Sequence, residues 1–246
     1  LVAQDLTYYG LDDGGRPRLS ELLGRLEEIE GLDWIRLLYL YPMHVTDELI
    51  DRIAASRKVL RYLDIPLQHI NDQVLRRMNR RVGRVEIEAL LGRLRERIEG
   101  LVLRTTMIAG FPGETKKQFE ELVEFVRRQR FERLGAFEFS KEPGTPAERL
   151  DGQLPPAVIR SRRNRLLEVQ QEIAFAWNQA QVGRQIDVLI DCDIPGEENA
   201  FRGRSYAHAP EIDGVIYVTG ENLRPGQFVR CEIVAAKDYD LIAAAM

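Results

Sequence analysis

Five short apolar runs, at residues 1–4, 34–40, 62–66, 101–108 and 134–139, start roughly 30 residues apart, which is the length of a strand plus its return helix. Strands connected this way pair in parallel, because the crossover between them takes a dozen or more residues. The intervening segments carry helix signals. Leu19, Leu22, Leu23, Leu26 and Ile29 share one helical face, and Thr46 stands before Asp47 and Glu48 as an N-cap with an acidic first turn. Thr115 and Gln118 spell a capping box ahead of Phe119, Leu122, Val123 and Val126. The expected fold class is therefore α/β, with an incomplete parallel barrel over residues 1–154.

A single long helical pattern follows over 155–182, carried by Ile159, Leu166, Leu167, Val169, Ile173 and Phe175, and is read as a connector. Its arginines, Arg160, Arg162, Arg163 and Arg165, read as a solvated face. After Gly183 the apolar period falls to two, at Ile186, Val188 and Ile190, at residues 215–218, and at Phe228, Val229, Cys231 and Ile233. Turn signals at Pro195-Gly196, Asp213-Gly214 and Pro225-Gly226 separate these runs, so residues 183–246 are expected to form a small all-β, OB-like barrel.

Cysteine and charge usage narrow the chemistry. Only Cys192 and Cys231 occur, alone rather than in a CxxC or CxxxCxxC cluster, and both read as small core residues. His44, His69 and His208 are equally scattered, so no metal site is spelled in this chain. Residues 180–246 hold six basic and eleven acidic side chains within a chain of net charge −4, and an acidic tail favours a basic partner over a phosphate backbone. No apolar run approaches the roughly 18 residues of a membrane helix, and Leu1-Val2-Ala3-Gln4 has no basic flank of a signal peptide; the expected location is the cytoplasm, without a membrane partner.

In a parallel barrel, ligands bind beyond the C-terminal ends of the strands. The polar residues gather there: Gln4 and Asp5 after the first run, Tyr39 to Pro42 after the second, Gln68 and His69 after the third, Gly110 to Glu114 after the fourth, and Ser140 and Lys141 after the fifth. Gly110 and Gly113 allow a sharp turn and close approach to a flat ligand, with free amides at the start of the next helix; on spacing alone the turn reads more readily as an ordinary strand-to-helix connection capped by Thr115. Gln68 and His69 suit a polar ligand or a helix cap near Asn71. Arg104, inside an apolar strand, requires a carboxylate from ligand or protein.

The strings themselves carry a resemblance. Leu1-Val2-Ala3-Gln4-Asp5 with Tyr8-Tyr9-Gly10, the run from Trp34 to Pro42, the run from Asp64 to Asp72, Arg104-Thr105-Thr106 and the turn from Gly110 to Thr115 together resemble RimO-type radical-SAM methylthiotransferases. These add a methylthio group to the β-carbon of an aspartate in the small-subunit ribosomal protein S-twelve. Residues 203–214 resemble the TRAM domain that closes such enzymes, with His208 where that family usually has aspartate, and Leu6 where it usually has threonine. The likeness covers essentially the whole chain.

The resemblance implies S-adenosylmethionine and two 4Fe-4S clusters as cofactors. It also implies N-terminal truncation, with the cluster cysteines in a preceding segment, and an enzyme whose isolated fragment is inactive. The site residues it implies are Gln4, Asp5, Gln68, His69, Arg104, Gly110, Phe111, Gly113 and Glu114, with Arg104 toward the carboxylate of S-adenosylmethionine and the Gly110 turn against its adenine. The implied partner is ribosomal protein S-twelve, met through the acidic TRAM domain. The competing readings are a tRNA adenosine methylthiotransferase, which the acidic tail disfavours, and a non-catalytic docking module for a basic ribosomal protein.

Overall fold

A computed structural model describes residues 1–12 and 14–246. Backbone contacts divide them into two units, 1–170 and 171–246. In the first unit, strands β1 (Ile35–Leu37), β2 (Val59–Asp64), β3 (Val102–Ala109) and β4 (Arg133–Glu138) form one sheet in that order, every pair parallel. Helix α1 (Leu19–Glu27) precedes β1, and helices α2 (Asp47–Ala55), α3 (Asp72–Arg77), α4 (Arg84–Arg97) and α5 (Lys116–Gln129) return the chain between strands. Thr46 caps α2 through Leu49 N–H, and Thr115 and Gln118 form the capping box of α5.

Four of the five expected strands form. Residues 1–4 do not; Leu1 alone makes main-chain hydrogen bonds alongside β1, from its N to Arg36 O and to its O from Leu38 N. Leu1, Val2 and Ala3 are exposed, so no apolar packing supports a longer ladder there. β1 is also shorter than the apolar run 34–40 suggests. Tyr39 takes a left-handed backbone (φ 61°) and donates its N–H to Asp64 Oδ2 at 3.2 Å, which turns the chain out of the sheet. β4 is an edge strand, with β3 its sole neighbour among the described residues.

Along β3, burial alternates with period two. Leu103, Thr105, Met107 and Ala109 are buried, and Arg104, Thr106 and Ile108 are half-buried on the opposite face.

Helix α6 (Pro156–Gln179) contains the boundary between the two units. Its first arginines correct the expectation of a solvated face. Arg160 and Arg165 are exposed, but Arg162 is nearly buried against Glu114, and Arg163 reaches Glu138 at 3.1 Å.

In the second unit, β5 (Gln185–Asp193), β6 (Ala200–Arg204), β7 (Ile216–Thr219), β8 (Phe228–Lys237) and β9 (Asp240–Ala245) close into a barrel in the order β5-β6-β7-β9-β8. Its pairs are antiparallel except β7 with β9. Val188, Ile190, Phe201, Ile216, Val218, Cys231, Ile233, Leu241 and Ala243 fill it. Burial, with Asp187 nearby, pushes the Cys231 thiol up to about 11, as suits an inert core cysteine. Cys192 departs from expectation: it is half-buried rather than in the core. His208 is buried, with Nδ1 2.9 Å from Ser205 Oγ. Among the described residues no helix is long and apolar enough to cross a membrane.

Candidate functional site

A cavity of about 440 Å³ opens in the first unit at the C-terminal side of the sheet, on the face carrying Arg104 and Thr106. Four of the expected residues meet in its lining, Gln4, Asp5, Gln68 and Arg104, together with the aromatic rings of Tyr39, Tyr41 and Phe137, and with Arg80. The volume lies within the range of small-molecule sites.

Three polar wall residues are held in place by their neighbours. Gln68 has a left-handed backbone (φ 70°), fixed because its N–H donates to Thr106 O at 2.8 Å and its carbonyl accepts from Ile108 N–H at 2.9 Å. A non-glycine residue in that region carries a strain of order 1–3 kcal/mol, which surrounding structure must impose. Its side-chain Oε1 is buried and has no hydrogen-bond partner. Asp5 Oδ1 accepts from Thr7 N–H at 2.9 Å and from the Thr7 hydroxyl, so this carboxylate is already oriented. Arg104 Nη1 donates to Asp64 Oδ1 at 2.7 Å, supplying the protein carboxylate that its position in the strand required.

The other five expected residues lie elsewhere. His69, Gly110, Phe111, Gly113 and Glu114 do not line the cavity. Glu114 and His69 have fully buried side chains, with His69 Nε2 3.5 Å from Glu114 Oε2. Arg162 Nη1 donates to Glu114 Oε1 at 2.6 Å and to its carbonyl at 2.8 Å, and Gly110 N–H donates to Oε2 at 3.1 Å. His69 Nδ1 accepts from Asn71 N–H at 2.9 Å, and Asn71 caps α3, so the helix-cap alternative describes this segment.

The amides read as ligand donors are consumed within the chain. Gly113 N–H donates to Gly152 O at 2.8 Å, Glu114 N–H to Phe111 O at 2.9 Å, and Thr115 N–H to Gln118 Oε1 at 2.9 Å. Phe111 is buried edge-on against Phe139. Gly110 (φ 80°) is required by packing, since a Cβ there would stand 2.6 Å from Ile159 Cγ1.

Arg80 was not among the residues expected at the site, whereas Tyr41 belongs to the strand-end run from Tyr39 to Pro42. Arg80 is obscured in sequence by the arginines around it, Arg76, Arg77, Arg81 and Arg84. The available signal was Asn79, a common left-handed helix terminator, which ends α3 and sends the next side chain away from the helix surface.

Comparison with known proteins gives matches over most of the chain. Residues 4–126, half of the chain, match the family model described as the Radical SAM superfamily, and residues 182–246 match the TRAM domain. The protein named "Ribosomal protein uS12 methylthiotransferase RimO" from Anaeromyxobacter sp. (strain K) is 49% identical over 242 residues, covering 98% of this chain and 52% of its own length. The proteins of the same name from Lachnoclostridium phytofermentans and Heliobacterium modesticaldum are 46% and 45% identical, cover 100% of this chain, and are themselves covered over 56% and 53%. The chain thus spans about half the length of the curated relatives it matches. With its parallel α/β sheet, its cavity at the strand ends and a TRAM domain closing the sequence, this chain belongs to the radical SAM superfamily.

Proposed function

We propose that this chain forms the S-adenosylmethionine-binding cavity of a methylthiotransferase that modifies the β-carbon of an aspartate in the small-subunit ribosomal protein S-twelve. The observation that carries the reading is the buried, partnerless Oε1 of Gln68 on the cavity wall. A buried acceptor without a donor costs stability, and the amino group of S-adenosylmethionine is a donor of the right kind.

The residues present fit S-adenosylmethionine. Gln68 would accept from its amino group, Arg104 would donate to its carboxylate from a guanidinium already fixed by Asp64, and Tyr39, Tyr41 and Phe137 offer flat apolar faces. When bound, it supplies the radical chemistry of the superfamily; the chain's own residues bind it, orient it and narrow the access of water. The residues present do not fit a 4Fe-4S cluster. Among the described residues no group of three histidine, cysteine or acidic side chains could hold a metal, and Cys192 and Cys231 both lie in the second unit.

S-adenosylmethionine titrated into the chain and followed by nuclear magnetic resonance should bind weakly and perturb Tyr39, Gln68 and Arg104. Gln68→Leu should weaken binding roughly tenfold, the value of one hydrogen bond to a charged group. No saturable binding, or unchanged affinity in Gln68→Leu, would reject the reading.

The acidic second unit supports recruitment of a basic protein substrate. Glu197 and Glu198 are exposed, where charge acts mainly on encounter. Their joint replacement by lysine should slow association with ribosomal protein S-twelve more than it speeds dissociation, and the affinity of the unmodified chain should fall with salt. Tight tRNA binding by the unmodified chain would reject the protein-substrate reading in favour of an RNA substrate.

A further inference from the structure

Arg80 is built into the cavity wall. Helix α3 ends on Asn79 in the left-handed conformation (φ 57°), and Arg80 N–H donates to Leu75 O at 2.8 Å, the six-to-one bond that closes a helix C-terminus. The next amide, that of Arg81, donates to Tyr41 Oη at 3.2 Å and pins the tyrosine ring. Over that ring lies the Arg80 guanidinium, with Cζ 5.3 Å from the centroid. Backbone, ring and guanidinium are therefore in place before any ligand arrives.

Arg80 is half-buried, and among the described residues its guanidinium has no ion pair and no hydrogen bond. Arg104, on the same cavity, already bonds Asp64 and is assigned above to the carboxylate of S-adenosylmethionine, and Asp5 Oδ1 accepts from Thr7. A partly desolvated cation against an aromatic wall gains more from an incoming anion than a solvated one does, and its planar fork suits a carboxylate.

We infer that Arg80 is the specificity-determining residue that receives the side-chain carboxylate of the aspartate to be modified, an inference that rests on the methylthiotransferase reading above. Two bonds from one planar group to the carboxylate would fix the plane of the substrate side chain and hold its β-carbon hydrogens toward the cavity. A neutral asparagine would lose the charge pair and half of the acceptor geometry. The carboxylate of S-adenosylmethionine is the other source of the same chemistry, and the experiment must separate the two.

The chain, saturated with S-adenosylmethionine at pH 7.5, would be titrated with a labelled basic peptide containing one aspartate and with its asparagine counterpart, for the unmodified chain, Arg80→Lys and Arg80→Gln. The unmodified chain should prefer the aspartate peptide about tenfold, a typical value for one charge-assisted interaction. Arg80→Gln should erase the preference by weakening the aspartate peptide alone, and Arg80→Lys should restore part of it. Unchanged thermal midpoints would show that the fold is intact.

S-adenosylmethionine and 5′-methylthioadenosine, which lacks the amino acid part, would be titrated in parallel and should bind all three chains equally. Equal binding of the two peptides by the unmodified chain, or a preference that survives in Arg80→Gln, overturns the inference while S-adenosylmethionine binding still supports the reading beneath it. Weakening of S-adenosylmethionine but not of 5′-methylthioadenosine in Arg80→Gln assigns Arg80 to the cofactor and also overturns it. Failure of the chain to bind S-adenosylmethionine at all removes the reading and the inference together.

Discussion

Glu114→Ala is expected to destabilise the first unit by about 3–5 kcal/mol, the usual cost of leaving one member of a buried ion pair without the other. The Glu114 side chain is fully buried and holds Arg162, whose side chain is only 11% exposed, as well as the Gly110 amide. Removing the carboxylate strands a guanidinium and an N–H together. Denaturant unfolding read on Trp34 in a Trp177→Phe background would isolate the first unit, because those two are the chain's only tryptophans. Glu114→Leu combined with Arg162→Leu should recover much of the loss, since an apolar pair of similar volume is often as stable as the buried ions it replaces. A loss below about 1 kcal/mol for Glu114→Ala would show that the network contributes little.

Gly110→Ala should cost about 2–4 kcal/mol, combining a left-handed alanine with the 1–3 kcal/mol typical of overpacking. The new Cβ would meet Ile159 at 2.6 Å from Cγ1 and 2.9 Å from Cβ, atoms of a branched side chain on a helix that cannot swing aside. The double variant with Ile159→Ala should lose clearly less than the sum of the two single losses, because one change removes the atoms that the other collides with. Strict additivity would disprove the packing account of this glycine. A ligand-contact account predicts no such coupling.

The two glycines of that turn show where sequence reasoning was ambiguous. A strand-to-helix turn with Gly110 and Gly113 has the same spelling whether it approaches a ligand or its own chain, and the partner Ile159 lies 49 residues further on, in another helix. The parallel sheet was legible because its apolar runs recur about 30 residues apart with helical patterns between them. In the barrel, β5, β7 and β8 were legible from period two, but β6 has the single large apolar residue Phe201, and β9 ends in three alanines, so neither announces itself.

Gln4, Asp5, Gln68 and Arg104 could be placed together from sequence, because segments that follow strands converge at one end of a parallel sheet and a guanidinium inside an apolar strand calls for a carboxylate. Arg80 was not expected there, because its place on the cavity wall depends on a helix terminus and on a tyrosine 39 residues earlier that no local pattern connects to it.

The two units also differ in how their sheets end. Every strand of the barrel has two neighbours, so its main chain offers nothing to another molecule. The outer side of the six-residue strand β4 offers the main-chain groups of alternate residues beside the exposed ring of Phe137, which is a template on which a foreign strand can grow. Crowded solutions of this chain should therefore associate through the first unit, and a charge placed at Phe137 would keep them clear where the same charge on the barrel surface would not.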